Sequence, residues 1–194
     1  MGRKRSALAV GCFGGLAVSL FVGAAARGQS RAAFEAAITS ACGPDGVRPH
    51  ARFEVGNGKV EPALPGKARV YFIDVLRGPR SSLEDGLSIA ADGRWVGALN
   101  GRSQFSVTLD PGEHHFCVRV DHRNGSSWRA KAQRLALLDV RVKAGETIFL
   151  AARAMFPNSA EDWLWHAMLR QINCDEGRLL VATAARSVEK GGHR

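Results

Sequence analysis

The signatures of the common catalytic classes are missing from this chain of 194 residues. There is no Gly-x-Ser-x-Gly nucleophile elbow, no His-Glu-x-x-His zinc motif and no glycine-rich loop that could cradle a phosphate. Cys-x-x-Cys pairs, which mark most structural zinc sites, are also absent. No dense run of like charge occurs and the basic residues are not interleaved with aromatics, which excludes the footprint of a nucleic-acid binder. Internal repeats and low-complexity stretches are lacking too. No cofactor motif can be read, and no cofactor is expected.

Charge is absent from one place that matters. After the basic stretch Gly2-Arg3-Lys4-Arg5, no charged residue occurs from Ser6 to Ala26. The order basic, then apolar, then Ala24-Ala25-Ala26 is that of a cleaved export signal over residues 1–26. Two other readings compete: an uncleaved anchor, since Ser6–Ala26 is just long enough to span a bilayer, and a lipoprotein modified at Cys12. Gly11, Gly14, Gly15 and Gly23 dilute the hydrophobicity, and only six residues separate Arg5 from Cys12, so cleavage is favoured. Removing Arg3, Lys4 and Arg5 lowers lysine plus arginine from 27 to 24 against 18 acids, leaving a net charge of +6. The protein is expected in the periplasm or outside the cell. Its expected partner is an envelope protein or polymer rather than nucleic acid, and it meets a membrane only through the N-terminal segment if that is retained.

Beyond Cys12 the chain keeps three cysteines, Cys42, Cys117 and Cys174. In an oxidising compartment this means one disulfide and one spare thiol, with three pairings open.

What is present is mostly strand. Residues 27–66 form a lead-in: a short alanine-rich helix over Ala32–Ala41, ended by Gly43-Pro44, then a turn-rich stretch with Pro49, Pro62 and Pro65 that runs along the surface. Residues 67–156 read as a domain of short strands. "KARVYFIDV" (67–75) is β-branched and aromatic, suited to a central strand. Residues 87–99 are two strands joined at Ala91-Asp92-Gly93, a strong hairpin signal. "SQFSVTL" alternates with Phe105, Val107 and Leu109 on one face, and "RLALLDVRV" with Ala136, Leu138, Val140 and Val142 inward. "TIFLAARAMF" (147–156) follows another turn. The fold class is therefore mainly β: an antiparallel β-sandwich, immunoglobulin- or transthyretin-like, with a short C-terminal helix. Residues 157–186 extend the domain. Within them "EDWLWHAMLRQI" (161–172) is ambiguous between helix and two-faced strand, and Asn173 with Glu176 three residues on caps the helix. Residues 187–194 read as a flexible tail.

The stretch Glu113–Val120, "EHHFCVRV", concentrates the reactive side chains. As a strand it places His114, Phe116, Val118 and Val120 on the core face, and Glu113, His115, Cys117 and Arg119 on the other. Two readings follow. In one, His114, His115 and Cys117, with Asp121 or His122 as a further ligand, bind a metal and support a metalloenzyme. In the other, favoured here, Cys117 is disulfide-bonded, with Cys42 as its partner, and staples the lead-in onto the outer face of the sheet. Trp95 and Trp128 are candidates for a sugar-stacking platform, with Trp163 and Trp165 as further aromatics; core or rim packing is the alternative. Asp74, Asp139 and Asp162 are the acids available for a glycosidase pair, and each reads better as a strand-edge or surface charge.

Six stretches, "ACGP" (41–44), "PGKARVYFI" (65–73), "DGRWVGAL" (92–99), "DPGEHHFCV" (110–118), "KAGETIFLAAR" (143–153) and "CDEGRLLVA" (174–182), resemble in this order a bacterial exported family known as domain of unknown function 2846, acidobacterial type. The resemblance implies a small exported β-sandwich with no established activity. It agrees with a Cys42–Cys117 disulfide, and it implies that Cys174, where relatives carry serine, is the free thiol. A lipobox, present in lipoprotein members, is not convincing here. The function expected on these grounds is a non-catalytic envelope binding or structural module. The alternatives are the metal-binding protein or metalloenzyme and the carbohydrate-binding module.

Overall fold

The residues of "ARVYFID" bury both of their faces, and the architecture follows from how each is covered. The computed structural model describes residues 32–44, 51–75, 86–120, 135–155 and 166–189. The chain divides after Glu35. Of the first unit only residues 32–35 are described, as the start of helix α1, which runs over residues 32–42. Among its described residues the second unit holds ten strands in two sheets: β1 (Ala51–Glu54), β2 (Ala68–Asp74), β3 (Leu87–Ala91), β4 (Arg94–Leu99), β5 (Ser103–Leu109), β6 (Gly112–Val120), β7 (Leu135–Val142), β8 (Thr147–Met155), β9 (His166–Ile172) and β10 (Ala185–Glu189), with helix α2 (Cys174–Thr183) between the last two.

The larger sheet has the order β1-β10-β5-β2-β8-β9 and the smaller β4-β3-β6-β7. The fold is thus mainly β and sandwich-like, with the short C-terminal helix expected from the sequence. Pairing is not wholly antiparallel. β2 runs parallel to β8, and β10 parallel to β5. β2 and β8 are separated in the chain by the whole smaller sheet, so nothing local constrains their relative direction.

The inner faces of the two sheets meet in one core. Val70, Phe72, Ile148 and Leu150 from the larger sheet pack with Ile89, Phe116, Val118 and Val120 from the smaller. The alternations over β5 and β7 hold: Phe105, Val107 and Leu109, and Ala136, Leu138, Val140 and Val142, all join this core. On the outer face of the larger sheet Tyr71, Ile73 and Phe149 pack under α2. Here Gly177 is required by close approach, because a Cβ at that position would lie 2.2 Å from Phe149 Cγ.

α2 begins at Asn173, whose side chain accepts the Glu176 N–H at 2.9 Å. The Glu176 carboxylate accepts from Arg170 at 3.1 Å. The ambiguous segment is a strand over His166–Ile172, antiparallel to β8 from Phe149↔Ile172 to Met155↔His166. Its two faces both find apolar cover, Leu169 in the inner core and Ile172 under α2.

Three expectations change. The lead-in is not strand-free, because Ala51–Glu54 forms β1. Residues 187–189, expected in a flexible tail, belong to β10, which lies between β1 and β5 inside the larger sheet. Ser187 is buried there and donates to the Ala98 carbonyl of β4 at 2.6 Å. Asp74 is 1% exposed, not a surface charge. Val60, Glu61 and Pro62 of the lead-in lie on the outer face of the larger sheet: Val60 packs with Tyr71 and Ile73, the Tyr71 hydroxyl accepts the Glu61 N–H at 2.7 Å, and Arg69 donates to the Pro62 carbonyl at 2.9 Å. Among the described residues no helix is long and apolar enough to cross a membrane.

Candidate functional site: the stapled outer face of the smaller sheet

β6 divides its side chains as the alternation requires. Phe116, Val118 and Val120 enter the inner core, while Cys117 is buried on the opposite side with Cys42 and Ala90. Cys42 and Cys117 are joined by a disulfide, and both are 0% exposed. Cys42 ends α1, so the bond fastens that helix to the sheet, with Ile38, Ala41, Trp95 and Leu135 packed around it. Cys174 is an exposed free cysteine.

Trp95 reaches this face through an irregularity. The β3–β4 register shifts between Ile89 and Ala90, so Ile89 faces Gly97 while Ala90 faces Trp95, and Val96 is the extra residue. A bulge of this kind re-aims side chains. Val96 packs on the inner core and Trp95 on the disulfide cluster. The indole is half-buried. Its Nε1 donates to the Pro44 carbonyl at 3.2 Å, and the Arg119 guanidinium lies 4.3 Å from the ring centroid.

The end of α1 meets the β3–β4 turn backbone to backbone. Gly43, at φ +88°, closes the helix with its N–H on the Thr39 carbonyl at 2.9 Å. A Cβ on Gly43 would lie 2.8 Å from the Gly93 carbonyl oxygen, and one on Gly93 would lie 2.5 Å from that of Ser40.

The turn itself is Asp92-Gly93, at φ +50° and +74°, the left-handed pair that a two-residue hairpin needs. Asp92 then does more than turn the chain. β3 stops pairing with β6 at Ala91↔Phe116. Beyond that point Asp92 N–H donates to the His115 carbonyl at 2.8 Å, Asp92 Oδ1 accepts the His115 N–H at 2.9 Å, and Asp92 Oδ2 sits 2.6 Å from His114 Nδ1. The other ring nitrogen of His114, Nε2, is 2.8 Å from the Asp110 carbonyl, which can only accept. Both nitrogens therefore donate when the ring is an imidazolium. Burial pushes the His114 pKa down, but the hydrogen bonds it donates to the Asp92 carboxylate and the Asp110 carbonyl, and the charge of both aspartates, raise it above 6.5 on balance. Burial likewise raises Asp92, and the hydrogen bonds to His114 and His115 outweigh this and hold it below 3.8.

His115 points the other way. It lies directly opposite Asp139 on β7, and Nδ1 meets Asp139 Oδ1 in an exposed pair whose hydrogen bond and charge raise the His115 pKa. Next to it Glu113 and Arg141 are opposite one another at 3.5 Å. These are cross-strand charge pairs on a solvated surface.

The sequence-derived candidates are thus separated rather than converged. His114 and His115 lie on opposite faces of β6, and the Cys117 sulfur is bonded to Cys42, which removes its thiolate from the His114/His115/Cys117 ligand set. Among the described residues no three His, Cys, Asp or Glu side chains are grouped to hold a metal ion. Asp121, His122, Trp128, Asp162, Trp163 and Trp165 lie outside the described residues. Sequence reasoning named Cys42, Cys117 and Trp95, but missed Arg119 as the partner of Trp95 and took Asp92 for a turn residue alone. The turn signal was visible; that the turn overhangs β6 was not. The imidazoles of His114 and His115, the Trp95 indole, the Asp92 carboxylate and the Cys117 sulfur each have a partner within the chain.

The chain matches no family model and no curated protein.

Proposed function

We propose that the protein is an exported, non-catalytic module of the cell envelope with a binding or structural role. The observation that carries this reading is the Cys42–Cys117 disulfide, fully buried between α1 and β6. Disulfides persist in oxidising compartments such as the periplasm and are rare in the cytosol. The basic-then-apolar segment of residues 1–26 supplies the export signal in this reading, with cleavage after the alanine run. The non-catalytic part is supported by the side chains around the disulfide. His114, His115, Trp95 and Asp92 are occupied in joining α1, the β3–β4 turn, β6 and β7. Membership of the exported family known as domain of unknown function 2846 belongs to the same proposal and rests on the six stretches quoted above.

The test is subcellular fractionation followed by intact mass with and without reduction. The expected result is an envelope or periplasmic protein lacking its first 26 residues, two hydrogens lighter than the reduced chain, with Cys174 alone alkylated before reduction. A cytosolic protein with Cys42 and Cys117 both open to alkylation would overturn the reading.

A further inference from the structure

The end strand β1 presents a surface that is complementary to itself. β1 is bonded to β10 on one side, and among the described residues no strand lies on the other. An exposed edge is a template for another strand, and natural proteins usually blunt it with proline, lysine or a bulge. Ala51–Glu54 has no proline, lysine or bulge; it is short, and the charges it carries, Arg52 and Glu54, are of opposite sign.

Its two faces differ in chemistry. Phe53 lies opposite Ser187, whose hydroxyl reaches Ala98 of β4, so Phe53 shares the face that looks between the sheets. It is nevertheless 43% exposed, and Val55 just beyond it is 98% exposed. Arg52 and Glu54 share the outer face, 2.8 Å apart, with side chains 68% and 45% exposed.

We propose that β1 pairs antiparallel with β1 of a second copy of this chain, around a two-fold axis at Phe53. In that register Phe53 faces its own counterpart, Arg52 faces Glu54 of the other copy, and Glu54 faces Arg52. Val55 comes opposite Ala51. One two-fold operation thus gives each member of the Arg52–Glu54 pair a second partner in the other copy, covers the exposed aromatic and continues the larger sheet from one copy into the next. The other end strands fit this less well. β4 has no acid to complement Arg94. β9 places Met168 against Arg170 about its centre. β7 has Asp139-Val140-Arg141, but Val140 is buried, so no exposed apolar side chain lies on its axis.

The experiment uses the full chain as the cell processes it, with its disulfide intact, in sedimentation velocity over a range of concentrations. The wild type is expected to show a concentration-dependent dimer. R52E and E54R each weaken it at least tenfold, and the R52E/E54R exchange restores it. In a C174S background, F53C forms a covalent dimer on mild oxidation, while V55C, roughly 13 Å from its counterpart in this register, does not. Circular dichroism melts check that each variant folds. A monomer at every concentration, a dimer indifferent to both charge reversals, or equal cross-linking at 53 and 55 would overturn the proposal.

Discussion

Asp92 and His114 share a hydrogen bond of 2.6 Å that ties the β3–β4 turn to the neighbouring strand β6. The bond is made beyond the last paired residues of the two strands, where Asp92 also takes the His115 N–H, so one carboxylate extends the backbone ladder by a side-chain step.

This relationship makes stability depend on pH in both directions. The folded-state pKa of His114 is raised above 6.5, so its contribution is complete below about pH 6.5 and is lost as pH rises through the raised value. The folded-state pKa of Asp92 is lowered below 3.8, so its contribution is complete above about pH 3.8 and is lost as pH falls through the lowered value. The melting temperature is expected to be highest between those limits. D92N keeps a residue tolerant of the left-handed turn but removes the charge. It should cost about 1 kcal/mol near pH 6, the size of a partly exposed charge-assisted bond, and flatten the alkaline limb. H115Q removes a group whose pKa is also raised, by Asp139, and should flatten the alkaline limb less than D92N because solvent screens that exposed pair. Thermal melts from pH 3 to 9 check both.

Loss of the disulfide should be costly. Its cysteines are 75 residues apart, for which chain-entropy arguments give about 4 kcal/mol. C42S/C117S should lower the urea midpoint accordingly and expose α1 to protease before the strands, because Cys42 is that helix's only covalent tie to β6. Simultaneous loss of all structure in limited proteolysis would contradict the assignment of the disulfide as a staple for α1.

Gly177→Ala tests the seat of α2. In a helix interior alanine is normally better than glycine by about 1 kcal/mol. Here the new methyl would fall 2.2 Å from a buried phenyl ring, and overpacking of that kind costs about 1–3 kcal/mol. The net effect should be destabilising, and F149L should recover part of it in the double variant. A gain in melting temperature for G177A alone would show that the helix sits further from the sheet.

Trp95 and Arg119 should be energetically coupled. A double-mutant cycle of W95A and R119A is expected to give an interaction of about 0.5–1 kcal/mol, the range for a cation–π contact near the surface. Additive losses would show that the two side chains only share a neighbourhood.

The parts of the fold readable in the sequence are those set by local chemistry. Alternation over Phe105–Leu109 and Ala136–Val142 is a property of the strand itself, and it identified the inner core. Asp92-Gly93 turns and Asn173 caps because of their own backbone preferences. The small number of cysteines made a bond between Cys42 and Cys117 one of three choices, and alternation put Cys117 on the outer face.

What the tertiary structure decided concerns partners distant in the chain. Ala185–Glu189 is short and polar, and becomes a strand only because β1 and β5 leave a gap with backbone donors and acceptors to fill. Residues 166–172 are strand rather than helix because the edge of β8 bonds them and both faces find cover. Trp95 faces the disulfide because the β3–β4 register slips beside it, and Asp92 holds His114 because two strands far apart in sequence lie side by side. A residue's own preferences constrain its backbone. Its neighbours in space are set only when the sheets close on one another, and in this protein the side chains of chemical interest are defined by those neighbours.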